Sequence, residues 1–498
     1  MAAVTISGML EAESAAFANG WTEEELLNLA GENLGKAIGR FFPQPGTAIG
    51  YLGKGHNAGD TLVALRVLRN EFGWDIGARF AFPIEDCTPL TRSKWAELGI
   101  ATPLAPCTAC RDATKPLLLL DGLLGTGAHG ALRTPLLPLA EEMESLRREA
   151  GAWVVAVDLP SGIDADSGET YPGTVTADVT FMIGNAKCGL LAGHAANTTG
   201  ALVLVSVAPL TKQGSSDLEL IAPQTMKFAK ARRPFDFHKG MAGRVTIIAG
   251  SQQYAGAAAL AALGALRGGA GMITLHVPAN AASTITSRCP PEIIVQGFSS
   301  VRELQNLTAD ALVVGCGIGR LDTAEGETLL QLLASAPIPT VIDADALNLI
   351  AASDKSGILN HRHVITPHPG EFKRLAPDLS DLSRESAARA FAERIPATLV
   401  LKGGRTLVTR AGRPLWCNAT GNPGMATGGQ GDLLAGVIGA RLAAGDPPLE
   451  ASTLAVWLCG RAAEIALQEP PTSEESLTPS DVATQLGSAY RDWRSSRR

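Results

Sequence analysis

Short continuous runs of apolar residues recur along the chain, each followed by a glycine-rich turn and then by an amphipathic or alanine-rich stretch. In the first half these runs are TAIGYLG, DIGARFAF, LLLLDGLL, AWVVAVDL, DVTFMIG and ALVLVSV. In the second half they are RVTIIAG, MITLHV, ALVVGCG, PTVIDAD, HVITPH and TLVLKGG. Continuous runs, rather than strict alternation, are typical of strands that helices cover on both faces. The pattern predicts two α/β halves with mainly parallel sheets.

A polar segment without a clear period, TKQGSSDLELIAPQTMKFAKARRPFDFHKG, separates the two halves. Since 498 residues are too many for one hydrophobic core, we place a domain boundary near residues 212 to 234. The predicted domains are residues 1–215 and 230–498. Before the first strand the sequence predicts a helix with Thr22 as its N-cap and Glu25 completing a capping box.

Composition excludes several classes of protein. The net charge of -7, with no long basic run, argues against a nucleic-acid partner. The first residues do not resemble a secretory signal, and no apolar run approaches the ~18 residues of a membrane span. We therefore expect a soluble cytoplasmic protein. Cys107 and Cys110 have CxxC spacing but lack a second Cys/His pair, which predicts a loop with two reduced thiols.

Ligands of an open parallel sheet lie at the carboxyl ends of its strands, so polar residues directly after each strand are the candidates for chemistry. In the second half these residues are Asp343, Asp345, His368, Glu371, Lys402, Thr406 and Asp432.

Asp432 follows three glycines, Gly428, Gly429 and Gly431, in the stretch GNPGMATGGQGDLLAG. A glycine-rich loop that leads into a helix offers free backbone N–H groups to phosphate. No Walker A motif occurs in the chain. By position alone Asp432 could simply cap the helix. Phosphoryl transfer to an alcohol, however, needs both a phosphate cradle and a carboxylate near the hydroxyl, and a GxGD turn supplies both.

The second half resembles the ribokinase-like superfamily, and within it the NAD(P)H-hydrate dehydratases. The matching pieces are SQQYAGAAALAALGALRGGAGMIT, VVGCGIG, VIDADALNL, TPHPGEFKRL, KGGRT and NPGMATGGQGDLLAGVIGA. The resemblance implies a ribokinase-like α/β sandwich. It also implies that the C6 hydroxyl of hydrated NADH or NADPH (NADHX, NADPHX) is phosphorylated by ADP with Mg²⁺, after which phosphate leaves.

The same resemblance implies roles for individual residues. The nucleotide would be held by Lys402, Gly403, Gly404, Arg405 and Thr406, together with Gly428, Gly429, Gln430 and Gly431. The hydrate would be contacted by Ala257, Gly317, Gly319, His368 and Asp432. Asp432 would be the catalytic base, while His368 could instead be a structural histidine between two prolines. A small-molecule hydroxyl kinase with a non-catalytic front domain is the alternative.

The first half contains GxGxxG at Gly125, Gly127 and Gly130, which in isolation suggests a dehydrogenase. The motif follows the third predicted strand, however, and lacks the acidic residue about 20 positions later. Together with VDLPSGIDADSGE, GKGHNAGDTL, DGLLGTG, ADVTF and KCGLL, residues 5 to 210 resemble the NAD(P)H-hydrate epimerase domain instead. The resemblance implies a Rossmann-like, doubly wound sheet and interconversion of the R and S hydrates.

The epimerase resemblance also assigns residues. Asn57, Asp121 and Ser161 would hold K⁺. The substrate would be contacted by His56, Asn57, Ala58, Gly59, Asp60, Gly125, Thr126, Gly127, Ala128, His129, Gly130, Ala131 and Asp158. Asp158 would transfer protons.

Where the epimerase family usually has NNGGDG, this chain has His56 to Thr61, HNAGDT, in which Ala58 and Thr61 are tolerated only at negative φ. A binding-only scaffold, as in mRNA-decapping proteins of the same fold, is the alternative for this domain. The predicted partners are small molecules, without nucleic acid or membrane, and we expect a homo-oligomer.

Overall fold

The computed structural model describes residues 3–100, 115–210, 216–226, 233–305, 307–468 and 471–495. The chain divides between Leu220 and Ile221 into two compact units. This division falls inside the predicted boundary region, residues 212 to 234. Cys107 and Cys110 lie outside the described residues. No helix in the described part of the chain is long and apolar enough to cross a membrane.

The first unit alternates strands and helices. Its strands are β1 (Thr47–Leu52), β2 (Asp75–Phe80), β3 (Leu117–Gly122), β4 (Trp153–Val157), β5 (Val179–Ile183), β6 (Ala201–Val205) and β7 (Leu218–Leu220). Its helices are α1 (Ile6–Ala18), α2 (Glu23–Phe41), α3 (His56–Phe72), α4 (Pro89–Leu98), α5 (Leu137–Ala150) and α6 (Ala196–Thr199).

Six strands of this unit form a parallel sheet in the order β2-β1-β3-β4-β5-β6. From β1 the chain adds β2 on one side and then β3 and the later strands on the other. The crevice at such a topological switch point is where doubly wound sheets bind ligands. The predicted α/β doubly wound sheet is confirmed. Its order differs from the 3-2-1-4-5-6 of the dinucleotide-binding fold, which agrees with rejecting the dehydrogenase interpretation of GxGxxG.

Both faces of this sheet are covered, as the continuous apolar runs predict. Along β1, Ala48 and Leu52 belong to the core beneath α2 and α3, whereas Ile49 and Tyr51 pack into a second core with α5. Alternate residues of a strand point to opposite faces, so a strand buried on both sides must be apolar at every position.

The predicted helical segment before β1 is two helices, with Gly20 at positive φ between them. The predicted capping box at the start of α2 is confirmed. The Thr22 backbone N–H donates to Glu25 Oε2 (2.8 Å), and the Glu25 N–H donates to Thr22 Oγ1 (3.2 Å). These bonds satisfy two of the otherwise free donors of the helix start.

The second unit begins with strands of the same type. Its strands are β8 (Arg244–Ile248), β9 (Met272–Pro278), β10 (Ile294–Phe298), β11 (Ala311–Val314), β12 (Thr340–Ile342), β13 (His363–Ile365), β14 (Thr398–Leu401), β15 (Thr406–Thr409) and β16 (Leu415–Asn418). Its helices are α7 (Ala255–Gly268), α8 (Ala282–Thr286), α9 (Thr323–Ser335), α10 (Ala344–Ala352), α11 (Pro369–Leu375), α12 (Arg384–Arg394), α13 (Gln430–Ala443), α14 (Pro448–Leu467) and α15 (Pro479–Ser495).

These strands lie side by side in the order β10-β9-β8-β11-β12-β13-β14-β15-β16. Pairing is parallel from β10 to β14 and antiparallel for β15 and β16. The apolar-run pattern did not predict β10, whose residues are mostly exposed or half-buried. From β8 the chain adds β9 and β10 on one side and then β11 and the later strands on the other. The junction of β8 and β11 is therefore the topological switch point of this sheet.

Helices α7 and α13 pack in close contact because glycines face backbone across their interface. A Cβ added at Gly436 would lie 2.0 Å from Ala261 O, and one at Gly264 would lie 2.2 Å from Leu433 O. Only glycine permits such an approach. This packing fixes the start of α13, and with it Asp432, against α7.

Candidate active sites of the two units

Asp432 lies in the first turn of α13, behind the predicted phosphate loop. The N-cap of this helix is Gly429 at φ 96°, so the alternative of Asp432 as the helix cap is wrong. Cys316 Sγ and carboxylate oxygens of Asp343 and Asp432 all lie within 4.8 Å of one another. Burial, reinforced by the charge of Asp343, raises the pKa of Asp432 to about 6. A carboxylate with such a pKa can accept a proton near neutral pH.

Lys402 supplies positive charge to this cluster. Its Nζ donates to Asp343 Oδ1 (2.8 Å) and lies 4.0 Å from Glu371 Oε2. The lysine stands at the end of β14, where Arg384 Nη2 donates to the Lys402 carbonyl (3.1 Å) and the Leu401 carbonyl (3.3 Å). The guanidinium of Arg384 therefore holds the backbone at the start of the KGGRT loop.

The predicted nucleotide segments meet at Lys402. A Cβ placed on Gly431 would lie 3.0 Å from Lys402 Nζ and 3.6 Å from Asp343 Oδ2, whereas one on Gly428 would meet open space. The loop thus contacts the charged cluster at one end and is open at the other. Gln430 has both amide atoms buried without a hydrogen-bond partner among the described residues.

The remaining residues of the KGGRT segment differ in their surroundings. Arg405 is only 5% exposed and lies near Cys417, so its side chain belongs to the interior. Thr406 Oγ1 donates to the Gly403 carbonyl (3.1 Å), and a Cβ on Gly404 would meet open space. Any nucleotide contact from Arg405 would therefore come from its backbone.

The residues predicted to contact the hydrate gather at the β8/β11 switch point. A Cβ on Gly317, which has φ 64°, would lie 2.8 Å from Ala257 Cβ, so this position requires glycine. The Gly319 N–H donates to Asp345 Oδ2 (2.9 Å), and Ser251 Oγ donates to the Gly317 carbonyl (3.0 Å). Ala257 and Gly317 are thus in contact, and Gly319 lies beside them next to Ser251.

His368 has an evident structural role at the start of α11. Its Nδ1 accepts from the Gly370 N–H (3.0 Å), and the Glu371 side chain accepts from the His368 backbone N–H (2.8 Å) in a capping box. The structural alternative for His368 is therefore supported. Its ring is half exposed, so the predicted substrate contact stays a prediction.

In the first unit the predicted K⁺ residues come together at the β1/β3 switch point. The fully buried Asp121 accepts from Ser161 Oγ (2.7 Å) and from the Ser161 N–H (2.7 Å). Asn57 Nδ2 donates to the Leu124 carbonyl (2.7 Å). Burial raises the pKa of Asp121 to about 6, and no Lys, Arg or His in the described ranges pairs with it. A buried carboxylate without a cationic partner fits a cation site.

The predicted substrate turn is the first turn of α3, which begins at His56 after Gly55. Ala58 and Thr61 are therefore helical, and the expectation that they keep negative φ is confirmed. Thr61 Oγ1 donates to the Asn57 carbonyl (2.7 Å), and a Cβ on Gly59 would press on Leu27 (2.7 Å). The departure from NNGGDG is compatible with the local backbone.

The loop from Gly125 to Ala131 approaches this turn at one end. A Cβ on Gly125 would lie 3.5 Å from Asn57 Cβ, whereas Gly127 and Gly130 have open space around them. His129 Nδ1 lies 3.7 Å from Asp164 Oδ2, and the Ala128 N–H donates to the Gly125 carbonyl (3.2 Å). The GxGxxG segment is thus a loop beside the predicted cation site, with Thr126 and Ala131 on it.

Asp158 follows β4 with φ 69°, a strained conformation for a residue other than glycine. Its Oδ1 accepts from the Ile183 N–H (2.8 Å) and from Lys187 Nζ, and the Lys187 side chain is fully buried. Burial, followed by the charges of Asp158 and Glu13, raises the pKa of Asp60 well above its usual value. The Asp158 carboxylate, ion-paired with Lys187, and the Asp60 carboxyl, whose pKa is raised, therefore neighbour each other.

Comparison with known families covers both units. Residues 245–485 match the model of the NAD(P)H-hydrate dehydratases, and residues 23–189 match that of the YjeF-related protein N-terminus. A bifunctional NAD(P)H-hydrate repair enzyme of Gloeobacter violaceus is 36% identical over 475 residues, which cover 91% of each chain. The chain belongs to the family of bifunctional NAD(P)H-hydrate repair enzymes.

Further relatives agree with this assignment. The Escherichia coli repair enzyme is 33% identical over 459 residues, 90% of this chain and 86% of that one. Among solved structures, a ribokinase-like superfamily protein of Enterococcus faecalis matches 57% of this chain and 98% of its own, with 28% identity and a TM-score of 0.51. The first unit is the epimerase domain and the second is the ribokinase-like dehydratase domain. The kinase and scaffold alternatives are not favoured.

Sequence reasoning missed several residues of these sites. In the dehydratase domain they are Cys316 and Arg384, and in the epimerase domain the chief one is Lys187. Lys187 stood within the quoted KCGLL motif, where a charged residue inside an apolar stretch was an available signal. Cys316 and Arg384 carried no such signal, because only the tertiary structure brings them to Asp432 and Lys402.

Proposed function

We propose that the dehydratase domain transfers a phosphoryl group from ADP to the C6 hydroxyl of the S hydrate, with Asp432 as the base. The observation that carries this proposal is the place of Asp432. It lies directly behind the Gly428–Gly431 loop, within 4.8 Å of Asp343, and its pKa is raised to about 6. The backbone N–H groups of the loop would bind the phosphates, and Asp432 would accept the hydroxyl proton.

The site also accounts for the charge that develops during transfer. Lys402 Nζ, which pairs with Asp343 and lies 4.0 Å from Glu371, would supply positive charge to the transferring phosphoryl group. Asp343 would hold a Mg²⁺ ion carried on the nucleotide phosphates, because its carboxylate lies beside the Gly431 end of the loop. When bound, Mg²⁺ neutralises charge on the phosphoryl oxygens.

Phosphorylation makes the later elimination possible, because phosphate leaves more readily than hydroxide. The C6–O bond breaks as the lone pair of N1 forms an iminium, and loss of the C5 proton then gives the C5=C6 bond of the dihydronicotinamide. The products with ADP are AMP, phosphate and NADH or NADPH. The closely packed Ala257 and Gly317 would orient the ring for this step.

For the epimerase domain we infer an acid–base pair. Asp60, whose pKa is raised well above its usual value, would protonate the C6 hydroxyl, which leaves as water while N1 forms the iminium. Water then adds to the opposite face of C6, and Asp158 accepts its proton. Proton exchange with solvent restores both carboxyl groups. The strained backbone of Asp158 supports a catalytic role.

The residues Asn57, Asp121 and Ser161 fit the K⁺ ion that the family resemblance implies. The Asp121 carboxylate is fully buried, and the Ser161 hydroxyl and the Asn57 amide add neutral oxygens. When bound, K⁺ supplies a fixed positive charge at the β1/β3 switch point. The cation would hold the α3 turn and the Gly125 loop in one arrangement.

A single assay tests both activities. Mixed R and S hydrates are incubated with ADP or ATP and Mg²⁺, and the absorbance of the dihydronicotinamide band is followed. We expect complete conversion with ADP. Asp158→Asn should stop after the S hydrate is consumed, apart from uncatalysed epimerisation, and Asp432→Asn should convert neither epimer. A phosphorylated hydrate that accumulates without release of phosphate would contradict the dehydratase mechanism.

A further inference from the structure

Lys187 is the most deeply buried cation of the epimerase domain within the described residues. Its side chain has no solvent exposure, and its Nζ donates to Asp158 Oδ1 and to the Ile183 carbonyl (2.9 Å). Lysine is almost never fully buried unless it is paired, because the interior penalises its charge. A fold retains such a lysine where its charge serves a purpose.

The backbone of Lys187 is held by the N-terminal segment, defined here as residues 3–18. The Val4 N–H donates to the Ala186 carbonyl (2.8 Å), and the Val4 carbonyl accepts from the Cys188 N–H (3.0 Å). Val4 and Lys187 thus form a parallel bridge. The segment is hydrogen-bonded to the residues on both sides of Lys187, as an added strand would be.

Helix α1 continues this contact. A Cβ on Gly184 would lie 3.2 Å from the Met9 methyl group, so Met9 packs where the chain approaches Lys187. One turn later, Glu13 lies close enough for both Asp158 and Lys187 to influence its pKa, which burial raises. All of this segment precedes residue 23, where the family match to the first unit begins.

We propose that Lys187 is a positioning residue of the epimerase reaction, which fixes the Asp158 carboxylate, and that the N-terminal segment completes the site by fixing Lys187. Two hydrogen bonds to Oδ1, from Lys187 and from the Ile183 N–H, leave Oδ2 of Asp158 available to the substrate. The inference rests on the proposed role of Asp158. Lys187 itself exchanges no proton in this scheme. It compensates the charge of the Asp158 carboxylate and fixes its orientation.

The decisive experiment is a double-mutant cycle in the full chain with R hydrate as substrate. Lys187→Met should lower kcat by about 100-fold with KM changed by less than about threefold, because a carboxylate that acts in the transition state is misplaced. Methionine fills the same volume without charge, and such replacements of buried ions generally keep the fold. Asp158→Asn/Lys187→Met should be no slower than Asp158→Asn alone, since residues that act as a unit are not additive.

Lys94→Met is the matched control. Lys94 is also nearly fully buried and is paired with Glu24 and Glu97 (both 2.7 Å), outside the proposed machinery. Its replacement should leave kcat within about threefold, and its effect should multiply with that of Asp158→Asn. Dehydratase turnover of S hydrate, measured on the same preparations, should stay unchanged in all five variants: the three single variants and the two double variants with Asp158→Asn.

The role of the segment is tested at Val4, whose backbone N–H contacts the residue before Lys187. Val4→Pro removes this donor, whereas Val4→Ala removes only side-chain packing. We expect Val4→Pro to lower epimerase kcat about 10-fold further than Val4→Ala. Thermal unfolding of the epimerase domain distinguishes this loss from a failure to fold.

The outcomes separate the two levels of the proposal. Full activity of Asp158→Asn would refute the proposed function of Asp158. If Asp158→Asn is strongly impaired and adding Lys187→Met lowers its residual rate by a further factor of about 100, the positioning role alone is refuted. Equal rates for Val4→Pro and Val4→Ala would refute the role of the segment.

Discussion

Asp158 and Asp432 are the carboxylates proposed to accept a proton in the two domains, yet their charges are compensated differently. Asp158 directly follows β4, and Asp432 lies in the first turn of α13. Asp158 receives the ammonium of Lys187 directly. Near Asp432, in contrast, Lys402 donates to Asp343 and not to Asp432 itself.

The difference shows how the placement of one lysine decides the behaviour of a carboxylate. Without a direct cationic partner, burial and the charge of Asp343 raise the pKa of Asp432 to about 6. In the epimerase domain burial raises the pKa of Asp60 well above its usual value, while Asp158 is ion-paired with Lys187. In the proposed mechanisms, one domain thus uses two carboxyl groups as acid and base, and the other uses a single base.

The largest expected effect comes from replacing Asp432, the proposed base of the dehydratase domain. Asp432→Asn should lower dehydratase kcat by about 10³-fold while the Kd for ADP stays within about threefold, because a general base acts only in the transition state. Steady-state turnover of S hydrate gives kcat, and calorimetric titration with ADP gives Kd. Asp381→Asn, an exposed position, is the control. A near-normal rate in Asp432→Asn would exclude it as the base.

Moving the compensating charge should shift the pH dependence of the dehydratase. Asp432 acts as a base only when ionised, so kcat/KM should fall as pH drops through about 6 in the wild-type chain. Lys402 lowers the pKa of Asp432, so Lys402→Met should move this acidic limb to higher pH and lower the plateau rate by about 10- to 100-fold. An unmoved limb would show that Lys402 serves the nucleotide alone.

The epimerase domain offers a test of charge compensation by an ion. Since the folded-state pKa of Asp121 is about 6, above the unfolded value, the free energy of unfolding falls as pH rises from about 4 to about 6. A bound K⁺ would offset this loss. Replacing Na⁺ by K⁺ should raise the Tm of the epimerase domain by about 2–4 °C at about pH 8, and by less at about pH 5. Asp121→Asn should abolish the difference.

The smallest expected effect concerns Gln430. Its amide atoms are buried without a hydrogen-bond partner among the described residues, and an unsatisfied buried amide costs about 1–3 kcal/mol. Gln430→Met should therefore raise the free energy of unfolding by about 1 kcal/mol in the absence of ligand. If the amide binds the nucleotide, the KM for ADP should rise severalfold. Unchanged stability and KM would mean that Gln430 only fills space.

Much of the fold was readable from local sequence. Every apolar run named in the sequence is a strand, and the capping box at Thr22 is present as predicted. β10 was missed because its residues are largely exposed, so it carries no continuous apolar run. The short antiparallel strands β15 and β16 were missed as well, since pairing with neighbours rather than local pattern creates them.

The candidate sites were predictable as sets of residues but not as arrangements. The sequence placed Asp343, Lys402 and Asp432 after strands or at a helix start, which is enough to expect them at one sheet edge. It could not tell that Lys402 would pair with Asp343 rather than Asp432. Nor could it reveal Cys316 beside Asp432, because thiols in apolar runs are usually core residues.

The sequence alone determined two α/β units, their family motifs and the carboxylates proposed to be catalytic, because strand patterning and glycine-rich loops are local properties of the chain. Only the tertiary structure decided which cation meets which carboxylate. Lys187 and Asp158 are 29 residues apart, and Lys402 and Asp343 are 59 apart. Their pairing depends on sheet order and burial. Through Coulomb interaction and desolvation, which depend on distance in space, those pairings set the charge state of each site.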